Sequence, residues 1–229
     1  MSIRAQRTKA DAFSRVDLCA AIAAFFLLAI VALPALSQPF GRSQRLHCLN
    51  NLRQVGQAFQ VWGNDHGDGF PFYLPSSQGG TMGAPEASKA YYQLAVLSNC
   101  LSSPRVLACP SDPALLADNF GAAPGGLLSA GYQDNAVSYF VSHGRVATGP
   151  EVLSGDRNIA VPVQTMACAF FVTTRGMPAR MLSWREDVHG RVGNVLMTSG
   201  DVLETGTASL PVEAGVTQPT LPSHFVIPR

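Results

Sequence analysis

The 19 residues from Leu18 to Leu36 carry no charge and are mostly apolar. No other feature constrains the chain as tightly, because a helix rising about 1.5 Å per residue needs roughly 20 such residues to cross the hydrocarbon core of a bilayer. Arg4, Arg7 and Lys9 precede the run against one acid, Asp11, a bias that holds the N-terminus in the cytoplasm while the remainder is exported. Asp17 stands at the edge of the run, where a carboxylate is costly and therefore implies a role. Ala20, Ala21, Ala23, Ala24, Ala29 and Ala32 give a small-faced helix of the kind that lets membrane helices approach closely. Pro34 near the outer end kinks or ends it. The expected topology is a single pass through the inner (cytoplasmic) membrane, with the globular part extracytoplasmic. A plain signal anchor and a cleaved secretory signal peptide share this basic start and apolar core, so the run alone leaves both open.

With 229 residues the chain has room for one anchor and one globular domain. Charged residues are only 14% of it, and 21 Gly with 16 Pro suit a loop-rich fold with short strands. Setting aside the first 12 residues leaves 13 cations against 14 acids, so no basic face for nucleic acid is implied. The cysteines are Cys19, inside the apolar run, then Cys48, Cys100, Cys109 and Cys168. No CxxC pair occurs, so zinc ligation of the usual spacing is not indicated. A disulfide suits an oxidising compartment, and spacing does not choose among the three complete pairings of four cysteines.

Pro39 and Gly41 are expected to weaken or bend a helix after the anchor. An amphipathic stripe then runs through Leu46, Leu49, Leu52, Val55, Phe59 and Trp62 at three- or four-residue steps. It stops near Gly63-Asn64, ahead of the turn residues Asp65 to Gly69. Residues 76–87 and 119–131 read as loops, and 90–97 as a short helix. Strands are expected at 105–109, 137–141, 159–163, 167–173 and 194–198. Ser199-Gly200 spaces a tight two-residue hairpin between 194–198 and 201–204. Pro211, Pro219, Pro222 and Pro228 mark 211–229 as an extended tail that packs loosely or not at all.

Ala12-Phe13, followed by Asp17 and the apolar run, resembles the class III signal of type IV prepilins and type II secretion pseudopilins. The resemblance implies cleavage by a prepilin peptidase between Ala12 and Phe13, methylation of the new N-terminus, and an assembly role for Asp17. The family has Gly before the cut and Glu at the acidic position, where this chain has Ala12 and Asp17. Further along come Cys48 to Gly56, Leu97-Ser98-Asn99, Cys109-Pro110-Ser111-Asp112, Ser138 to Val141, Gly155-Asp156-Arg157-Asn158 and Gly193 to Leu196. These look like the pseudopilin-like proteins abundant in planctomycete and verrucomicrobial bacteria. Those proteins end in a His, nine residues, then Asp-Gly; here His189 is followed by nine residues and Ser199-Gly200. The architecture so implied favours a disulfide between Cys48 and Cys109.

Templates for catalysis are absent: the chain has no GxSxG elbow, HExxH, Walker loop or GxGxxG. The expectation is therefore a non-enzyme. His189, Ser199 and Asp156 form a triad only on paper, and His189 reads more simply as a residue ordering the turn before the last hairpin. No cofactor is expected. Among metals calcium is the candidate, through Asp65, Asp68, Asp112, Asp134, Asp156, Asp187 or Asp201, but no EF-hand-like run of acids occurs and solvated turn residues are the favoured reading. Asp156 equally reads as capping a turn.

The expected fold is α+β and pilin-like: a long N-terminal helix, transmembrane then amphipathic, packed on a small antiparallel sheet with long loops. Its parts are a basic leader (1–12), a transmembrane helix (13–36), an amphipathic helix (37–66), a globular domain (67–210) and a Pro-rich tail (211–229). The expected function is a structural subunit of a type II secretion or type IV pilus-like envelope filament. Its partners are other pilin-like subunits, prepilin peptidase, the assembly machinery and the membrane, with no nucleic acid. The alternative is an uncleaved, single-pass, membrane-anchored binding module of the cell envelope.

Overall fold

The computed structural model describes residues 14–143, 151–160, 172–173, 183–210 and 224–228, with the backbone alone for 31–42, 172–173 and 224. The chain divides into two compact units, Met1–Ser43 and Gln44–Arg229. Helix α1 (Arg15–Asp65) runs through Pro39 and Gly41, where weakening or bending was expected. Among the described residues no helix is long and apolar enough to cross a membrane. The run from Leu18 to Leu36 extends into 31–42, whose side chains lie outside them.

In the first unit, Ser14 caps the start of α1. Its Oγ accepts from Val16 N at 3.3 Å, and Asp17 Oδ2 accepts from Ser14 N at 3.1 Å. Ser14 thus caps the amide two residues on, while Asp17 reaches back three residues to the amide of Ser14. This gives Asp17 a local role, reinforced by the helix dipole's preference for an acid in the first turn.

In the second unit the amphipathic part of α1 buries Cys48, Leu52, Val55, Ala58, Phe59 and Trp62. The stripe begins at Cys48 and not at Leu46, which is 54% exposed. The sheet comprises β1 (Tyr139–Ser142), β2 (Val152–Asp156), β4 (Val172–Thr173), β6 (Val192–Met197), β7 (Val202–Gly206) and β8 (His224–Val226), in the order β4-β8-β1-β2-β6-β7. Each pairing is antiparallel. A two-stranded ribbon, β3 (Ile159–Ala160) with β5 (Ser183–Trp184), stands apart. Alternation of side chains along a strand covers both faces of the sheet. Tyr139, Val141, Leu196 and Val226 join one core with α1 and α2 (Ala90–Ala95). Phe140, Val195, Met197 and Phe225 join the other, with Ile159, Trp184 and Leu210.

Three expectations are corrected, and one strand went unread. Residues 105–109 form no strand: Pro104–Leu107 is a 3-10 helix, started by Pro104 and by Ser103 Oγ accepting from Arg105 N. The tail is not loose throughout, because β8 inserts between β4 and β1 with Phe225 and Val226 fully buried, and Phe225 meets the Phe140 ring edge-on at 5.0 Å. The last hairpin has three loop residues, not two: Gly200 N donates to Met197 O, Met197 N donates to Asp201 O, and Gly200 adopts φ +91°. A turn followed by a left-handed glycine is the usual build of that loop. Strand β2 went unread because its Ser154-Gly155 looks like a turn; in place, Ser154 Oγ donates to Phe140 O at 2.6 Å. A Cβ on Gly155 would come within 2.7 Å of the Phe140 ring.

Candidate functional site

The motifs scattered along the sequence meet under α1. Cys48, on the buried face of α1, is disulfide-bonded to Cys109, with Cα atoms 5.0 Å apart. Two hydrogen bonds hold the segment bearing Cys109: Asn51 Nδ2, one turn along α1, donates to Ala108 O at 3.1 Å, and Cys109 N donates to Ser138 Oγ at 2.9 Å. Tyr139 Oη donates to Cys48 O at 3.3 Å. Pro110 and Ser111 turn the chain so that Asp112 N donates back to Cys109 O. Asp112, whose side chain is 2% exposed, then pairs with Arg157 at 2.7 Å.

His189 lies against the disulfide. Its Nε2 is 3.4 Å from Cys109 Sγ and 3.5 Å from Asp156 Oδ2, and both side chains are buried. Arg45 Nη2 donates to His189 O at 3.2 Å, which ties the loop bearing the histidine to α1. Asp156 ends β2 facing β6, where its Oδ2 accepts from Asn194 N at 2.7 Å and Asn194 Nδ2 at 2.9 Å. Asn158 Nδ2 donates to Arg185 O and Val192 O and so braces the entry to β6. Among the described residues His189 Nδ1, Asp156 Oδ1 and Asn194 Oδ1 are buried without a hydrogen-bond partner.

Burial dominates the electrostatics. Desolvation pushes the Asp156 carboxyl up to about 7, against the two bonds from Asn194 that favour its charged form. It lowers His189 to about 4, with the Arg45 guanidinium adding in the same direction. Burial thus drives both groups toward their neutral forms. The Tyr139 phenol is held well above its ordinary value by burial, then by Asp156.

The sequence-derived sites fare differently. Ala12 and Phe13 lie outside the described residues. Asp17 is exposed in the first turn of α1. Cys48 and Cys109 form the disulfide. His189 packs against the disulfide, and the Asp156 carboxylate accepts from Asn194 across the sheet. Ser199 stays apart from both: its Oγ donates to Asp201 Oδ2 and its carbonyl accepts from Gln60. Of the aspartates considered for calcium, Asp112 pairs with Arg157, Asp187 with Arg185 and Asp201 with Ser199, while Asp134 Oδ1 accepts from Tyr91 N. A relay from nucleophile to base to orienting acid needs partners on opposite ring nitrogens. Here the sulfur and the carboxylate both face Nε2.

These features define a class: an α+β domain with a long helix clamped by a disulfide beside a buried histidine and carboxyl. Comparison with protein-family models, with characterised proteins and with solved structures gives no match.

Proposed function

We propose that the chain is a structural subunit of a type II secretion or type IV pilus-like envelope filament, cut by a prepilin peptidase between Ala12 and Phe13. The observation that carries this reading is the contrast along α1. Val16, Leu18, Ile22, Phe25, Phe26, Leu27, Leu28 and Ile30 are exposed, whereas Leu52, Val55 and Phe59 are sealed in the core of the second unit. A contiguous apolar surface of that kind needs a cover, and lipid or the same helix of neighbouring subunits supplies it. The antiparallel sheet, the amphipathic half of α1 and the long loops accord with a pilin-like fold. The buried His189 centre, closed by a disulfide, suits a structural part better than a catalytic one.

Lateral packing of the apolar helices brings Asp17 of one subunit to the free amine of a neighbouring Phe13, where opposite charges relieve each other in a low dielectric. Asp17→Asn separates this role from helix capping, because the amide oxygen still accepts from Ser14 N while the charge is gone. The variant should enter the membrane fraction normally yet drop out of sheared or cross-linked filaments in the producing cell. Normal incorporation refutes the assembly role. An intact Met1 on the mature chain favours the uncleaved anchored binding module instead.

A further inference from the structure

The buried centre also holds the donor set of a soft-metal site. Cys48 Sγ, Cys109 Sγ and His189 Nε2 lie within 4.8 Å of one another, and all three residues are buried. Around a tetrahedral zinc ion, with bonds of about 2.3 Å to sulfur and about 2.0–2.2 Å to nitrogen or oxygen, donor atoms stand about 3.4–3.8 Å apart. Two edges of that tetrahedron are already set, at 3.4 Å from Cys109 Sγ to His189 Nε2 and 3.5 Å from His189 Nε2 to Asp156 Oδ2. A further edge, between the two sulfurs, opens only when their bond is broken. Asp156 is 1% exposed and stands outside that group of three; its Oδ2 faces His189 and its Oδ1 has no hydrogen-bond partner among the described residues, so the carboxylate reaches a metal by a shift made when the sulfurs part. Two thiolates and an imidazole select zinc over calcium or magnesium, and a hard carboxylate completes such a set without changing that choice.

We propose that reduction of the Cys48–Cys109 disulfide converts this centre into a zinc site, with Cys48, Cys109 and His189 as ligands and the Asp156 carboxylate in the fourth position. The reductant is a dithiol. Its two electrons and two protons go to the cystine sulfurs, the S–S bond breaks, and the dithiol becomes a disulfide. Binding of the divalent cation then forms two metal–sulfur bonds, one metal–nitrogen bond and one metal–oxygen bond, and releases to solvent the two thiol protons together with the carboxyl proton wherever Asp156 still carries it. The disulfide and the metal are therefore alternative clamps on the same junction between α1 and the Cys109 turn. Spacing along the chain hides the site, because its ligands come from α1, a turn, a loop and a strand end.

Cobalt(II) tests this on the full-length protein in detergent, reduced anaerobically with a phosphine, freed of reductant and titrated with the metal alone. The reduced chain should take up one equivalent and develop the thiolate-to-cobalt charge-transfer band together with the visible bands of four-coordinate cobalt. The oxidised chain, which keeps free Cys19 and Cys100, should show neither. His189→Ala and Asp156→Asn should each weaken binding at least about tenfold. Zinc should slow alkylation of Cys48 and Cys109, but not of Cys100, in peptide mapping of the unmutated reduced chain. Absence of the charge-transfer band in the reduced chain, or equal alkylation with and without zinc, overturns the site. Unchanged cobalt affinity in Asp156→Asn overturns the fourth ligand.

Discussion

Removing the clamp between α1 and the Cys109 turn, by changing Cys48 and Cys109 together to alanine, gives the sharpest test of how this domain is held. The disulfide closes a loop with a sequence separation of 61. The chain-entropy relation puts the constraint on the unfolded state at about 14 cal/mol/K for that length, or about 4 kcal/mol at room temperature. Alanine is the right replacement because both sites are sealed, and a serine hydroxyl there would be buried without an assured partner. The two tryptophans, Trp62 on α1 and Trp184 on β5, are both buried and lie in different cores, so their emission reports unfolding on both faces of the sheet. With a urea slope of about 2 kcal/mol/M, the midpoint of the full-length variant should fall by about 2 M relative to the oxidised parent. The reduced parent should unfold within about 1 kcal/mol of the variant, since both have lost the same constraint. A loss below about 1 kcal/mol refutes the reasoning and moves the clamping of α1 to its apolar contacts.

Three further outcomes follow from the packing. Phe225→Ala should cost about 3–5 kcal/mol by removing the ring that fills the second core, whereas unchanged urea stability would return the C-terminal residues to the status of a loose tail. Gly193→Ala should cost about 1–3 kcal/mol, because its Cβ would stand 2.6 Å from the Trp184 ring; an unshifted urea midpoint would refute that close approach. Tyr139 supplies a pH dependence: its folded phenol titrates well above its ordinary value, so stability is full below about pH 10 and falls as pH rises beyond it, when the unfolded chain sheds the proton first. Tyr139→Phe should flatten the decline in urea midpoint between about pH 9 and about pH 11, and a parallel decline in the variant refutes the assignment.

Sequence alone showed the amphipathic half of α1, because Leu52, Val55, Phe59 and Trp62 keep helical spacing whatever they pack against. It showed β6 and the glycine of the following turn, since alternation and positive φ are local properties. It misplaced 105–109, where an apolar run of strand-like residues follows a proline that starts a 3-10 helix. It passed over β2 and β8: both lie inside the sheet and are buried on both faces, so neither alternates between apolar and polar residues. The disulfide partners came from resemblance. The buried centre was not legible, because His189 meets Cys109 across 80 residues and Asp156 meets Asn194 across 38. Only the His189 to Ser199-Gly200 spacing and the short motifs around Asp112, Asp156 and Asn194 marked the segments that converge there.

The central claim, that this chain is processed and assembled as a pilin-like subunit, is tested most directly by mass spectrometry of the N-terminal peptide of the mature protein from its producing cell. The account expects a chain that starts at Phe13 with a methylated amine. A chain that starts at intact Met1, or near Gln38 after removal of the whole apolar run, contradicts it.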